Sequence, residues 1–286
     1  MPTQYSDMKN RVCLITGATS GIGLVTAMTL ANQGAVMVTV GRNPQKGEAT
    51  VASIRQKTGN SAVELMQADL SVQAEVRHLA QEFKNRYSRL DVLINNAGAV
   101  FLRRQLSPDG IEMTFAVNHL SHFLLTNLLL DTLKAGAPAR IINVSSDAHR
   151  KAQMRFDDLE GRRKYSGMGA YGQSKLAILL FTYELARRLE GTQVMVNAVH
   201  PGLVATNLGK NNGWAARLIV SLLKFVAISP EKGAQPIIYL ASSPEVASVT
   251  GKYYEGQHMV PSSPVSYGER AAARLWEISA KMTGLL

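Results

Sequence analysis

Short runs of unbroken apolar residues alternate along the chain with longer stretches whose apolar positions recur every three or four residues. The first kind reads as a strand buried on both faces, the second as an amphipathic helix. "RVCLITGA" (11–18) is a strand ending in glycine, and "GIGLVTAMTLANQG" (21–34) is a helix closed by Gly34. "AVMVTVG" (35–41) is a second, valine-rich strand, followed by an exposed helix over 43–59 with Pro44 near its start. "AVELMQADL" (62–70) is a third strand, and 71–87 a helix with Ser71 as its N-cap. "LDVLINNAG" (90–98) is a fourth strand, and the strongly apolar stretch 107–136 reads as one long helix. "ARIINVSS" (139–146), a helix over 170–191 and "TQVMVNAVHPG" (192–202) continue the alternation, and a seventh short strand falls near "GKYYEG" (251–256).

Strands of this kind separated by helices imply an α/β fold of the Rossmann type. The expectation is a doubly wound open parallel sheet of about seven strands, with helices on both faces in three layers and right-handed crossovers. Ligands of such sheets lie beyond the carboxyl ends of the strands. Each short polar or glycine-rich motif falls at such an end: 17–23, 95–98, Ser145-Ser146 and Pro201-Gly202. No repeat, low-complexity tract or linker interrupts the pattern, so residues 1–286 read as one domain.

Composition narrows the setting. The 286 residues are 46% hydrophobic, ample for a large core, and carry a formal net charge of +10. Basic clusters occur at Arg103-Arg104, His149-Arg150-Lys151 and Arg162-Arg163-Lys164, but they are short, scattered and without interleaved aromatics. A solvated basic surface open to peripheral membrane contact is expected, and nucleic-acid binding is not. Cys13 is the single cysteine and lies in an apolar run, so it reads as a small buried hydrophobe. No apolar run reaches the ~18 residues of a membrane span. "MPTQYSDMKN" lacks the apolar core of a signal peptide, and these features together point to the cytoplasm.

The chemistry-bearing motifs sharpen the picture. "TGATSGIG" places Gly17, Gly21 and Gly23 between the first strand and the first helix. Glycines there permit a tight turn and let a pyrophosphate reach the free N–H groups of the helix. The second strand ends in Arg42 where a fold selecting NAD usually has an acid, and an arginine suits the 2′-phosphate of NADP. "YGQSK" sets Tyr171 one helical turn before Lys175, a spacing at which an ammonium favours the phenolate.

Taken together, "TGATSGIG", "NNAG" (95–98), Asn118, Ser145, "YGQSK" and "HPG" (200–202) resemble the short-chain dehydrogenase/reductase family in its classical form. The resemblance covers about 12–256. It implies an oxidoreductase that interconverts an alcohol and an aldehyde or ketone by hydride transfer, with NADP(H) rather than NAD(H). Tyr171 would be the general acid/base. Lys175 would lower its pKa and bind the nicotinamide ribose. Ser145 would hydrogen-bond the substrate oxygen, and Asn118 would anchor a water linked to Lys175. Cofactor contacts would fall to Gly17, Thr19, Ser20, Gly21, Ile22, Gly23, Arg42, Asn43, Asp69 and Leu70. Further contacts would come from Asn96, Ala97, Gly98, Tyr171, Lys175, Pro201, Gly202, Val204 and Thr206.

Ser145 and Tyr171 stand 26 positions apart, about twice the common spacing, and the insertion is similar to that of the retinol-dehydrogenase-like branch. A lipophilic substrate is implied, supported by an amphipathic lid over 203–229 with Trp214, Leu218 and Leu222 on one wall. Two alternatives remain at this point. One is a light-dependent protochlorophyllide reductase-like enzyme; the other is a non-catalytic NADP-binding regulatory protein on the same fold. Ser145, Asp147 and His149 imitate a hydrolase triad only in composition, and His119 with His122 lacks the further ligands of a metal site. In this family the helix containing "HFLLTNLLL" and the Tyr-Lys helix often pair with a second copy, so a homodimer or homotetramer is expected.

Overall fold

The computed structural model describes residues 7–202 and 228–286. Eight strands form one sheet in the order β3-β2-β1-β4-β5-β6-β7-β8. They are β1 (Val12–Thr16), β2 (Val36–Gly41), β3 (Val63–Gln67), β4 (Val92–Asn95), β5 (Ala139–Val144), β6 (Val194–His200), β7 (Lys252–Glu255) and β8 (His258–Met259). The first seven are parallel, and β8 returns antiparallel to β7. The seven expected strands are all present. The eighth carries two exposed residues and no apolar run, so no periodic signal marks it.

Helices cover both faces. The first three are α1 (Gly21–Asn32), α2 (Pro44–Thr58) and α3 (Gln73–Arg86). The abutting segments Met113–Phe115, Ala116–Leu120, Ser121–Leu128 and Leu130–Ala135 together make α4 (113–135). They are followed by α5 (Gly167–Arg188), α6 (Pro230–Ser242) and α7 (Glu269–Met282). Successive residues of β1 point to opposite layers: Cys13 and Ile15 pack with α1, α2 and α6, while Val12 and Leu14 pack with α3, α4, α5 and α7. This two-sided burial is why the strands read as unbroken apolar runs. None of the helices among the described residues is long and apolar enough to cross a membrane.

Two local expectations are corrected. Val72, not Ser71, precedes α3, because the Ser71 hydroxyl donates to Asp69 Oδ1 at 2.8 Å and closes the preceding turn instead. The long helix begins at Met113, not 107: Glu112 caps it through both carboxylate oxygens, and 107–110 form a turn. Inside it, Ala116–Leu120 is a single π-helical turn.

The face expected to meet a second copy is covered in part from within the chain. Here α7 lies across α4 and α5. Trp276 packs edge-on to Phe123 at 5.0 Å, Arg188 lies 4.1 Å above the Trp276 ring, and Ser279 Oγ bonds His119 Nε2 at 2.8 Å. Phe123, Leu124 and Leu125 are core residues under this cover.

Candidate active site

The strand order reverses between β1 and β4, and the expected motifs meet at the carboxyl ends of these strands. Gly17 and Gly21 hold φ values of 69° and 58°, in the region that favours glycine. Gly23 is required for contact: a Cβ there would lie 2.5 Å from Gly17 O and 2.6 Å from Asn96 Nδ2. Ser20 precedes α1 in extended conformation and gives no side-chain cap, so the first-turn N–H groups remain for an anion. Turn, close approach and uncapped helix start together fit a dinucleotide pyrophosphate.

The second half of the cradle comes from β4. Asn96 Nδ2 donates to Thr16 O at 2.7 Å, and the N–H groups of Asn96 and Ala97 both donate to Thr16 Oγ1 at 3.0 Å. Thr16 is therefore the hub joining the glycine turn to "NNAG", a role its position in an apolar strand conceals. Asn95 points into the sheet, where its amide donates to Thr126 Oγ1 and Asn143 Oδ1.

Further along the cleft, Arg42 and Asn43 are exposed where β2 ends. The Asn43 side chain caps α2, its Oδ1 accepting from Lys46 N at 2.8 Å. Asp69 Oδ1 accepts from Ser71, and Leu70 packs against the core. Thr19 and Ile22 flank the glycine turn, and Pro201 and Gly202 follow β6, with Gly202 at φ 87°. Val204, Thr206 and the expected lid from 203 to 227 lie outside the described residues.

The proton-handling group sits on α5. Ser166 caps this helix, so Tyr171 and Lys175 fall in its first turns. Gly172 lies between them and lets the chain after β5 come close: a Cβ there would be 3.0 Å from Ala148 O. That approach brings Ser146, not Ser145, to the side of the Tyr171 hydroxyl. Ser145 faces the other way, and its Oγ donates to Lys175 O at 3.0 Å from a buried position. Of the two serines, the one expected beside the substrate is the one turned onto the backbone of α5.

Lys175 Nζ is buried and donates to Val144 O at 2.9 Å. It lies 5.6 Å from the Tyr171 ring centroid, over its face. Burial brings its pKa down to about 7. Burial raises that of Tyr171, only partly opposed by the Ser146 hydrogen bond. The Lys175 ammonium is aimed at the β5 carbonyl, and burial, not the lysine, sets the direction of the Tyr171 shift here.

Asn118 lies in the π turn and is fully buried. It clamps Ala99 by accepting from its N–H at 2.8 Å and donating to its carbonyl at 3.0 Å, and it also donates to Ser174 Oγ. A Cβ on Gly98 would lie 3.5 Å from both Asn118 Oδ1 and Lys175 Nζ, so cradle and proton group share one wall. His119 and His149 are engaged elsewhere. His119 packs among Phe115, Phe123 and Phe181. His149 bonds the Ser146 carbonyl and not a serine hydroxyl, while Asp147 pairs with Arg150, so no hydrolase relay forms.

Comparison with known proteins agrees with this geometry. The family described as short chain dehydrogenase matches residues 11–215. Retinol dehydrogenase 13 of Homo sapiens is 44% identical over 281 residues, covering 96% of this chain and 85% of the relative. Polyprenol dehydrogenase of Homo sapiens is 42% identical, covering 97% and 86%. The crystal structure of an uncharacterised Mycobacterium paratuberculosis protein superposes with a TM-score of 0.81 at 35% identity, covering 98% of this chain and 96% of that one. An Escherichia coli short chain dehydrogenase complexed with NADPH gives 0.66 at 27%, covering 88% and 99%. The chain belongs to the short chain dehydrogenase family, as a nicotinamide-dependent oxidoreductase acting on CH–OH groups in the retinol-dehydrogenase-like branch.

Proposed function

We propose that the protein uses NADP(H) to interconvert a lipophilic alcohol and its carbonyl, with Tyr171 as proton donor and acceptor and Ser146 holding the substrate oxygen. The observation that carries this reading is the meeting of the Ser146 hydroxyl with Tyr171 one helical turn from Lys175, against the Gly98 wall. The nicotinamide, when bound, supplies or accepts the hydride. Reduction builds negative charge on the carbonyl oxygen, and donors fixed at that oxygen lower the barrier. Burial keeps Tyr171 a phenol at neutral pH, the form that delivers a proton to the reduced oxygen. Lys175, brought to about 7 by burial, can exchange a proton near working pH, and Asn118 holds the wall beside it.

Arg42, exposed at the end of β2 with no acid beside it in "TVGRN", supports selection of a 2′-phosphate. A lipophilic substrate is supported by the names of the relatives, which are dehydrogenases of retinol and of polyprenol. It is supported also by exposed Leu102 and Met168, at 47% and 58%, on two segments that approach each other where Gly167 packs on the Leu102 backbone. The test is NADPH oxidation across a panel of aldehydes, ketones and retinal. Tyr171→Phe keeps the ring packed and removes the proton route. It is expected to lower kcat by at least about 10²-fold while NADPH affinity stays within about twofold. A variant retaining more than about a tenth of parental kcat would remove Tyr171 from the acid–base role.

A further inference from the structure

His149 is fully buried, yet both of its ring nitrogens are bonded to backbone. Ser263 N–H donates to Nε2 at 3.1 Å, so Nε2 carries no proton. The proton is therefore on Nδ1, which donates to the Ser146 carbonyl at 2.7 Å. The ring thus spans two segments distant in sequence, the turn that carries Ser146 and the Pro264–Tyr267 turn near the C-terminus.

That second turn is anchored to α5. Ser262 Oγ bonds Tyr183 Oη at 2.7 Å and Ser266 Oγ at 2.6 Å, and the Tyr183 and Tyr267 rings stack at 5.1 Å. Tyr183 is on the helix that carries Tyr171. The Ser146 backbone is consequently referenced through His149 to the same rigid element as the tyrosine its hydroxyl must meet. The Tyr253 ring packs edge-on at 5.1 Å and leaves the imidazole no room to swing.

We propose that His149 is a positioning residue for Ser146, a neutral Nδ1–H strut between the C-terminal turn and the serine backbone. It rests on Ser146, not Ser145, being the serine at the substrate oxygen. A second proton on the ring would set Nε2–H against Ser263 N–H and break the strut. The charged and titratable groups facing it are Asp147 and Arg150 in its own turn, Glu255 on β7 and His200 on β6. Burial dominates over these and holds its pKa below the usual histidine value, so the strut is intact at neutral pH and fails on acidification.

The test compares Ser146→Ala, His149→Phe, their double variant, His149→Asn and His149→Gln, by carbonyl reduction at saturating NADPH from pH 5 to 9. His149→Phe is expected to lower kcat about 10-fold, with KM for NADPH unchanged. In the Ser146→Ala background it should lower kcat no further, because there is no hydroxyl left to position. His149→Asn keeps a donor near the Nδ1 place. It should retain kcat within about threefold and lose less of it on acidification than the parent does. His149→Gln keeps an acceptor near Nε2 instead and should be as slow as His149→Phe. Multiplicative losses in the double variant would overturn the proposal. So would His149 variants that lower the melting temperature while leaving kcat and its pH profile parental. If Ser146→Ala itself is as fast as the parent, the serine assignment has failed, and the positioning role falls with it.

Discussion

Two adjacent serines end β5, and exchanging each for alanine separates their roles. Ser146→Ala removes the hydroxyl beside Tyr171, at the place proposed for the substrate oxygen. Loss of one such donor costs about 10²- to 10³-fold in kcat, or roughly 3–4 kcal/mol of barrier. Its stability cost should be small, because the residue is only half-buried and its other bond, to Ala148 N, is a 3.3 Å turn contact. Ser145→Ala removes a buried bond to Lys175 O at 3.0 Å. That bond contributes about 0.5–1.5 kcal/mol to folding. The carbonyl it leaves lies inside α5 and keeps its place in the helical ladder, so the penalty stays near the upper end of that range and no more. In a chain of this size that is a melting shift of about 2–4 °C. Its kcat should remain within about threefold of the parent. Thermal unfolding and steady-state reduction of one accepted aldehyde, on both variants, give the four numbers needed. A hundredfold loss in Ser145→Ala beside a near-parental Ser146→Ala would refute the assignment.

Lys175 has a folded pKa of about 7, well below the usual lysine range, so the chain bears a buried ammonium below pH 7 and sheds that burden as pH rises. Lys175→Met should therefore stabilise the cofactor-free protein most at pH 6, and the advantage should shrink by about 2–3 kcal/mol by pH 9; denaturant unfolding that gives one constant difference at both values would contradict this. Arg42→Asp should weaken NADPH binding by about 10-fold or more and favour NADH, since it sets a carboxylate where a 2′-phosphate is expected; equal parental affinity for the two cofactors, measured by titration, would count against it. Trp276→Ala removes the ring packed on Phe123 and Phe181 and under Arg188, and should cost about 2–3 kcal/mol in unfolding experiments; a cost below about 0.5 kcal/mol would mean that α7 is not held on α4 and α5 as described.

The legible parts of the sequence were those governed by burial on both sides of the sheet. The central parallel strands announced themselves by near-continuous apolar runs, because β1 and its neighbours feed two core layers at once. The glycine turn was legible for a different reason, since positive φ at Gly17 and Gly21 and contact at Gly23 admit little else. The choice between Ser145 and Ser146 was not legible. Successive residues of an extended chain point to opposite faces, and a strand buried on both faces gives no polar alternation to say which face is which. The spacing to Tyr171 counts residues but not directions. Thr16 was hidden likewise: inside an apolar run, a threonine looks like a β-branched filler until its hydroxyl is seen holding two N–H groups.

The same reasoning applies to the surface of α4 and α5. Their outward residues, Phe123 and Phe181 among them, are apolar because something must cover them, and an apolar helix face does not name its cover. A second copy of the chain would satisfy that demand. So does α7, some 90 positions after Phe181, with Leu275 seated in the cluster that holds Leu176 and Leu180. Coverage from within the chain has a consequence for the active site, because α5 carries Tyr171 and Lys175 near one end and Phe181 and Arg188 further along. The C-terminal helix thereby braces the catalytic helix along its outer side, while the Pro264–Tyr267 turn holds Tyr183 on the same helix. The last 25 or so residues of the chain, which contain no chemistry-bearing motif, therefore fix the orientation of the helix that bears most of it.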